Sequence, residues 1–178
     1  VLAGGCFWGM QLVFESLKGV RSAVAGYAGG NAVTAHYEIV STGMTGHAES
    51  VEVTYDPSVI TFKQLLQVYF TVAHDPTELN RQGPDDGSQY RSEIFYTTAD
   101  QRAAALEFIG RLERDHAYSS PIVTKVAPLR GFYPAESYHQ NYAVDNPNNP
   151  YIVANDIPKL HALRAKYPSL VKSDAPSL

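Results

Sequence analysis

Hydrophobic and polar residues alternate most cleanly from Ser50 to Tyr55. Val51, Val53 and Tyr55 fall on one face, Glu52 and Thr54 on the other. That period of two predicts a strand. Val1-Leu2-Ala3 is a short apolar run ended by Gly4-Gly5, which predicts a strand that turns. Phe7, Met10, Val13, Phe14 and Leu17 then recur at helical spacing, with Gly19 as the stop. Val20 to Tyr27 reads as a strand, and Gly29-Gly30 opens a polar loop. Thr61 starts a helix through a T-x-x-Q capping box closed by Gln64, with Leu65, Leu66, Tyr69 and Phe70 on its apolar side. His74 to Gln89, broken by Pro76, Gly83, Pro84 and Gly87, reads as loop. Glu93 to Thr97 is a strand, and Thr98 with Gln101 caps a helix bearing Ala105, Leu106, Phe108, Ile109 and Leu112. Ile122 to Val126 is a further strand. From about 127 the chain is loop-rich and aromatic, with one short helix near His139 and a last helix opened by Pro158 and running through Tyr167. Strands and helices are interspersed without strict alternation. The expected class is α+β, a mixed sheet with helices packed on it, in a single domain spanning residues 1–178.

Composition narrows the function classes. The 178 residues are 44% hydrophobic and 18% charged, with a net charge of -4. This is globular composition. The first 90 residues hold 4 basic and 9 acidic side chains, so no basic half points to nucleic acid. No apolar run approaches the ~20 residues that span a bilayer. A cytoplasmic protein is expected, with a leader upstream of Val1 left open because the chain does not begin with Met. The single cysteine, Cys6, excludes an internal disulfide, a CxxC pair and a cysteine-rich zinc site. Histidines 36, 47, 74, 116, 139 and 161 make no tight ligand spacing, so no metal is expected. Lys159, Arg164 and Lys166 on the last helix read as a solvated face.

Candidate chemistry concentrates in Gly5-Cys6-Phe7-Trp8-Gly9. A lone cysteine is commonly a small buried hydrophobe. Here it sits where a strand becomes a helix, between glycines, beside two large aromatics. A helix N-terminus favours a thiolate, which predicts a reactive sulfur. A thiolate attacking substrate needs a proton delivered elsewhere. Glu49 shares the parity of Val51 and Val53, so it either points to their apolar face, where desolvation keeps it protonated, or curls out to water. Tyr37 and Tyr90 lie in polar contexts that could present a hydroxyl, or could simply be half-buried tyrosines. Asp85 and Asp86 either cap a turn or bind a substrate amide.

Taken together, GGCFWG, GYAGG, HYEIVSTGMTGHAESVEV, HDP, GSQYRSEIFY, FYPAESYHQNY and NPNNPY resemble the peptide methionine sulfoxide reductases of the A type, over residues 1 to about 151. The resemblance implies a two-layer α+β sandwich with a ferredoxin-like core. It implies reduction of the S epimer of methionine sulfoxide, free or in oxidised proteins. Cys6 matches the nucleophile and Glu49 the acid that protonates the sulfoxide oxygen. Tyr37 and Tyr90 match the tyrosines that hydrogen-bond that oxygen. Phe7 and Trp8 match the aromatics that hold the S-methyl group, and Asp85 the carboxylate on the substrate amide. His139 lies in a shared motif and is taken as a further substrate-binding residue.

Many relatives carry resolving cysteines near the C-terminus, some at the position of Ile152; this chain has none. The expected cycle therefore uses no bound cofactor and returns Cys6 to a thiol through an external thiol: thioredoxin, glutaredoxin with glutathione, or dithiothreitol. The expected state is a monomer. Two other readings compete. One is a cysteine hydrolase or acyltransferase with Cys6 activated by His47 or His139. The other is an aromatic-lined module that binds methionine-containing peptides without consuming thiol.

Overall fold

The computed structural model describes residues 1–178. Its elements run β1 (Leu2–Gly4), α1 (Phe7–Glu15), β2 (Val20–Ala28), α2 (Tyr37–Val40), β3 (Ala48–Tyr55), α3 (Phe62–Val68), β4 (Arg81–Gln82), β5 (Asp85–Asp86), β6 (Ser92–Tyr96), α4 (Ala99–Arg114), β7 (Lys125–Pro128), β8 (Phe132–Pro134), α5 (Tyr142–Asp145) and α6 (Ile157–Lys166). Six strands form one sheet in the order β7-β6-β1-β3-β2-β8, and β4 pairs with β5 in a separate ribbon. Only β6 and β7 are parallel; every other pairing is antiparallel. The sheet is mixed and carries helices, so the class is α+β.

The register matters most at β1. Ala3 stands opposite Ser50 of β3 and Glu93 of β6, and Gly4 opposite Ser92. The end of β1 therefore lies beside the starts of both neighbours. Gly5 then turns the chain at φ +94, a conformation that a side chain resists. Cys6 follows at the N-terminus of α1.

A buried polar knot fixes this end of the sheet. The Tyr69 hydroxyl donates to the Ala3 carbonyl at 2.7 Å and meets Ser92 Oγ at 3.0 Å. His74 joins Ser92 Oγ at 2.7 Å through Nε2 and the Tyr69 carbonyl at 2.8 Å through Nδ1. Burial lowers the His74 pKa to about 4, so the ring is neutral and its two bonds are those of one tautomer. Thr61 and Gln64 form the expected capping box at the start of α3.

Four expectations need correction. The strand after α4 begins at Lys125, not Ile122. Ile122 N–H is held by Glu113 Oε1 at 2.8 Å and Val123 N–H by the Pro76 carbonyl at 2.9 Å, which keeps this stretch off the sheet. Within the expected 74–89 loop, Arg81–Gln82 and Asp85–Asp86 pair as a hairpin. Helix α1 is buried on every side rather than on one stripe, because α5, α6 and the turn before α6 cover its outer face. Gln11 is tolerated there by donating to the Ala23 carbonyl at 2.8 Å and accepting from Asn141 N–H at 2.9 Å. Finally, the last helix is only in part a solvated cationic face: Lys166 is exposed, whereas Lys159 and Arg164 are half-buried. Lys166 Nζ donates to the Thr71 carbonyl at 2.9 Å, and Arg164 to the Ala175 and Pro176 carbonyls.

Tyr69→Phe removes two hydrogen bonds in a fully buried setting and leaves Ser92 to its remaining partners. It is expected to lower unfolding free energy by about 1–3 kcal/mol, read from the midpoint of urea denaturation at unchanged slope.

Candidate active site

The strand ends gather the chemistry in one place. Cys6, Phe7, Trp8, Tyr37, Glu49, Asp85, Tyr90 and Tyr151 line a cavity of about 200 Å³. Sheet register explains most of this set. Glu49 is the second residue of β3, one before the partner of Ala3, and Tyr90 lies two residues before Ser92, the partner of Gly4. Cys6 follows Gly4 by two. The β4–β5 ribbon brings in Asp85, and α2 begins at Tyr37.

Glu49 is 2% exposed. Its Oε1 accepts the backbone N–H of Phe7, the first residue of α1, at 3.1 Å. Burial pushes its pKa up to about 8 and outweighs the stabilising N–H of Phe7. At neutral pH it is a carboxylic acid inside the cavity.

Cys6 differs from its expected state. Its pKa is raised well above the ordinary thiol value, first by burial, then by the charge Glu49 carries once it ionises above about pH 8, and then by the charge of Asp156. Only the backbone N–H of Trp8 on the sulfur pulls the other way. The helix end is present, but an 8% exposed sulfur among carboxyl groups feels desolvation more strongly. In the empty site Cys6 is a thiol.

The aromatic wall is braced from behind. Trp8 stacks on Tyr142 at 3.9 Å between ring centroids and meets the edge of Tyr151 at 5.8 Å. Its indole N–H donates to His139 Nδ1 at 3.0 Å. His139 is 1% exposed and does not line the cavity. Its geometry fits orienting Trp8 rather than contacting substrate, which departs from the sequence expectation. His47 is also absent from the wall. Its Nδ1 accepts from Gly30 N–H at 3.1 Å and its Nε2 meets the Asn31 carbonyl at 2.8 Å. Neither histidine is placed as a base for Cys6, which removes the geometric support for a cysteine hydrolase.

Three contributors escaped sequence reading. Tyr151 donates its hydroxyl to Asp85 Oδ2 and forms part of the wall. Glu136 accepts the Tyr27 hydroxyl at 2.7 Å with one oxygen and Tyr37 N–H at 2.9 Å with the other, which anchors the start of α2. Asp156 is buried behind α1. Tyr151 and Glu136 sit inside the NPNNPY and FYPAESYHQNY motifs, but nothing in those strings distinguishes a wall or an anchor from a turn.

Comparison with known proteins identifies the family. The family model described as peptide methionine sulfoxide reductase matches residues 1–170. The chain belongs to that oxidoreductase family, in its A type, and its activity is methionine sulfoxide reduction. It is 55% identical over 170 residues to peptide methionine sulfoxide reductase MsrA 2 of Mesorhizobium japonicum, covering 96% of this chain and 87% of that one. It is 46% identical to the MsrA 2 of Synechocystis sp., covering 98% and 82%. Among solved structures, reduced Mxr1 of Saccharomyces cerevisiae superposes with a TM-score of 0.77 at 34% identity, over 83% of this chain and 84% of that one. Methionine sulfoxide reductase A of Corynebacterium diphtheriae gives 0.72 at 34%, over 83% and 74%. Mxr1 in complex with Trx2 shares the fold at 24% identity and a TM-score of 0.54. No helix is long and apolar enough to cross a membrane.

Glu49→Gln tests the burial of the acid. Folded Glu49 keeps its proton up to about pH 8, whereas the unfolded carboxyl releases it near 4.5. Between those values the folded state binds more protons, so this group's contribution to stability falls as pH rises through the window. Glutamine keeps the Phe7 bond and carries no charge. The Tm of E49Q minus that of the parent is expected to grow from pH 5 to pH 9; a flat difference would contradict a buried, protonated Glu49.

Proposed function

We propose that this enzyme reduces the S epimer of methionine sulfoxide by direct attack of Cys6 on the sulfoxide sulfur, with Glu49 as the acid and an external thiol closing the cycle. The observation that carries the reading is the shared cavity of one sulfur and one protonated carboxyl. A sulfoxide is neutral and its oxygen leaves poorly unless it takes a proton. Glu49 gives that proton as the Cys6 sulfur attacks, and it recovers one from the thiol. Protonation of the oxygen places positive charge beside Cys6, which offsets the burial that holds the sulfur as a thiol. The sulfoxide oxygen ends on Cys6 as a sulfenic acid and methionine departs, reduced by the two electrons the sulfur has lost.

The remaining lining residues fit this chemistry. The hydroxyls of Tyr37 and Tyr90 stay protonated, since burial raises both pKa values, and each can donate to the sulfoxide oxygen. Phe7 and Trp8 supply an apolar wall suited to a methyl group on sulfur. Asp85 accepts a substrate backbone N–H, a reading supported by its place in the cavity wall and its bond from Tyr151. Substrates would be free methionine sulfoxide and oxidised proteins.

With one cysteine the sulfenic acid cannot form an internal disulfide. A first thiol condenses with it, releasing water and leaving a mixed disulfide; a second thiol frees Cys6. The complex of Mxr1 with Trx2 favours a thioredoxin as donor, with glutaredoxin and glutathione as the other candidate. We assign the enzyme to the cytoplasm, acting as a monomer. We also read the run β1-α1-β2-β3-α3-β6 as a ferredoxin-like core in a two-layer sandwich, supported by the antiparallel order β6-β1-β3-β2.

Incubation with racemic methionine sulfoxide and dithiothreitol should consume one epimer, the S form, and Cys6→Ser should abolish turnover. Consumption of the R form alone, or of neither, would overturn the assignment. Without reductant the enzyme should release one methionine per molecule and leave Cys6 oxidised; two or more would count against a one-cysteine cycle. Glu49→Gln should lower kcat by about 10²–10⁴. In the parent enzyme activity should decline as pH rises past about 8, where Glu49 loses its proton.

A further inference from the structure

Ile152–Asp156 forms a single π-helical turn immediately before α6. Such turns break the regular helical repeat and recur at functional positions. Here the turn aims Asp156 inward. The residue is fully buried, and neither carboxylate oxygen has a hydrogen-bond donor. The nearest cation, Lys159 Nζ, stands 3.8 Å from Oδ1, beyond hydrogen-bonding reach. A buried carboxylate with an ion-pair partner but no hydrogen-bond donor is costly and calls for a reason.

Its position offers one. A Cβ built on Gly9 would lie 2.3 Å from Asp156 Oδ1, so only a glycine lets the carboxylate approach α1 this closely. Gly9 follows Cys6 by three residues, which places both on one side of the first turn of α1. The carboxylate therefore sits one turn along α1 from the reacting sulfur, outside the lining of the cavity.

We propose that Asp156 is a positioning residue that keeps Cys6 a neutral thiol while the site is empty, by holding a fixed negative charge one helical turn from the sulfur. The inference deepens the function above and rests on Cys6 being the reacting sulfur. The other groups facing Cys6 are Glu49 on β3, Asp85 on β5, Tyr37 at the start of α2, Tyr90 before β6, Tyr151 before the π-turn, Lys159 on α6, and His74 behind Gly4. Glu49 is protonated at neutral pH, Asp85 is engaged by Tyr151, and the tyrosines and His74 are neutral. Burial raises the Asp156 pKa to about 6 against the pull of Lys159, so above that pH it is charged. The thiolate is the form that attacks peroxides and alkylating agents. A charge that suppresses it in the empty site restricts Cys6 to a reaction that the substrate itself switches on.

The test is the rate of Cys6 alkylation by iodoacetamide from pH 6 to pH 10, in the parent and in Asp156→Asn. Because Cys6 is the only cysteine, the label reports one sulfur. The alkylation midpoint is expected to fall by about one pH unit in D156N, giving roughly tenfold faster labelling at pH 7.5. A merely structural role would lower Tm and leave the midpoint in place, and an unchanged midpoint in folded D156N overturns the proposal. If D156N does not fold, D156N/K159M removes both charges from the slot and is expected to shift the midpoint the same way, since the carboxylate is the nearer group to α1; no shift there overturns it equally. Sulfoxide turnover by the parent is measured alongside. Its failure would end the reductase mechanism, while the alkylation result would still decide the role of Asp156.

Discussion

One hydrogen bond joins the two halves of the chemistry: Phe7 N–H donates to Glu49 Oε1, tying the helix behind the sulfur to the strand that carries the acid. Its strength is balanced against burial. A more exposed Glu49, or one that accepted several such bonds, would be ionised at neutral pH and useless as a donor. A Glu49 with no bond would have no fixed position. The structure settles between these limits because β1 is clamped by β3 and β6, and the register of three strands decides which side chains meet where β1 ends.

Strong local signals survive from sequence to structure. Alternation after Glu49, the capping box at Thr61 and the Thr98 cap each depend on neighbours a few residues away, and each stands where the pattern places it. The desolvation of Glu49 was half legible, because parity gave its face but not what would cover it. The ionisation of Cys6 was not legible. A helix N-terminus can be read from a string of residues, whereas the crowding of carboxyl groups around it comes from β3, β5 and the turn before α6, which only the fold assembles. The same limit hid Tyr151 and Asp156, which lie more than 140 residues after Cys6 in sequence and beside it or behind it in space.

The loop-rich C-terminal third is the part that pattern reading described least well, and it does more than close the core. Its short helices cover α1, and His139, Tyr142 and Tyr151 hold Trp8 in place from three directions. His139 illustrates how a residue in a chemical-looking motif can serve by bracing a neighbour. Ile152, fully buried in the same segment, belongs to the core behind that wall.

The cavity is also small. At about 200 Å³ it falls below the ~300–1,000 Å³ of sites that enclose drug-sized molecules. A single side chain can enter such a slot; a rigid protein surface cannot follow it in. An oxidised methionine locked inside a folded target must first swing outward, and local opening carries a free-energy cost that differs from segment to segment. Repair is thus graded by the looseness of the victim: damage on frayed ends and loosened loops is mended first, and the narrowness of one pocket becomes a gauge of how far another protein has come apart.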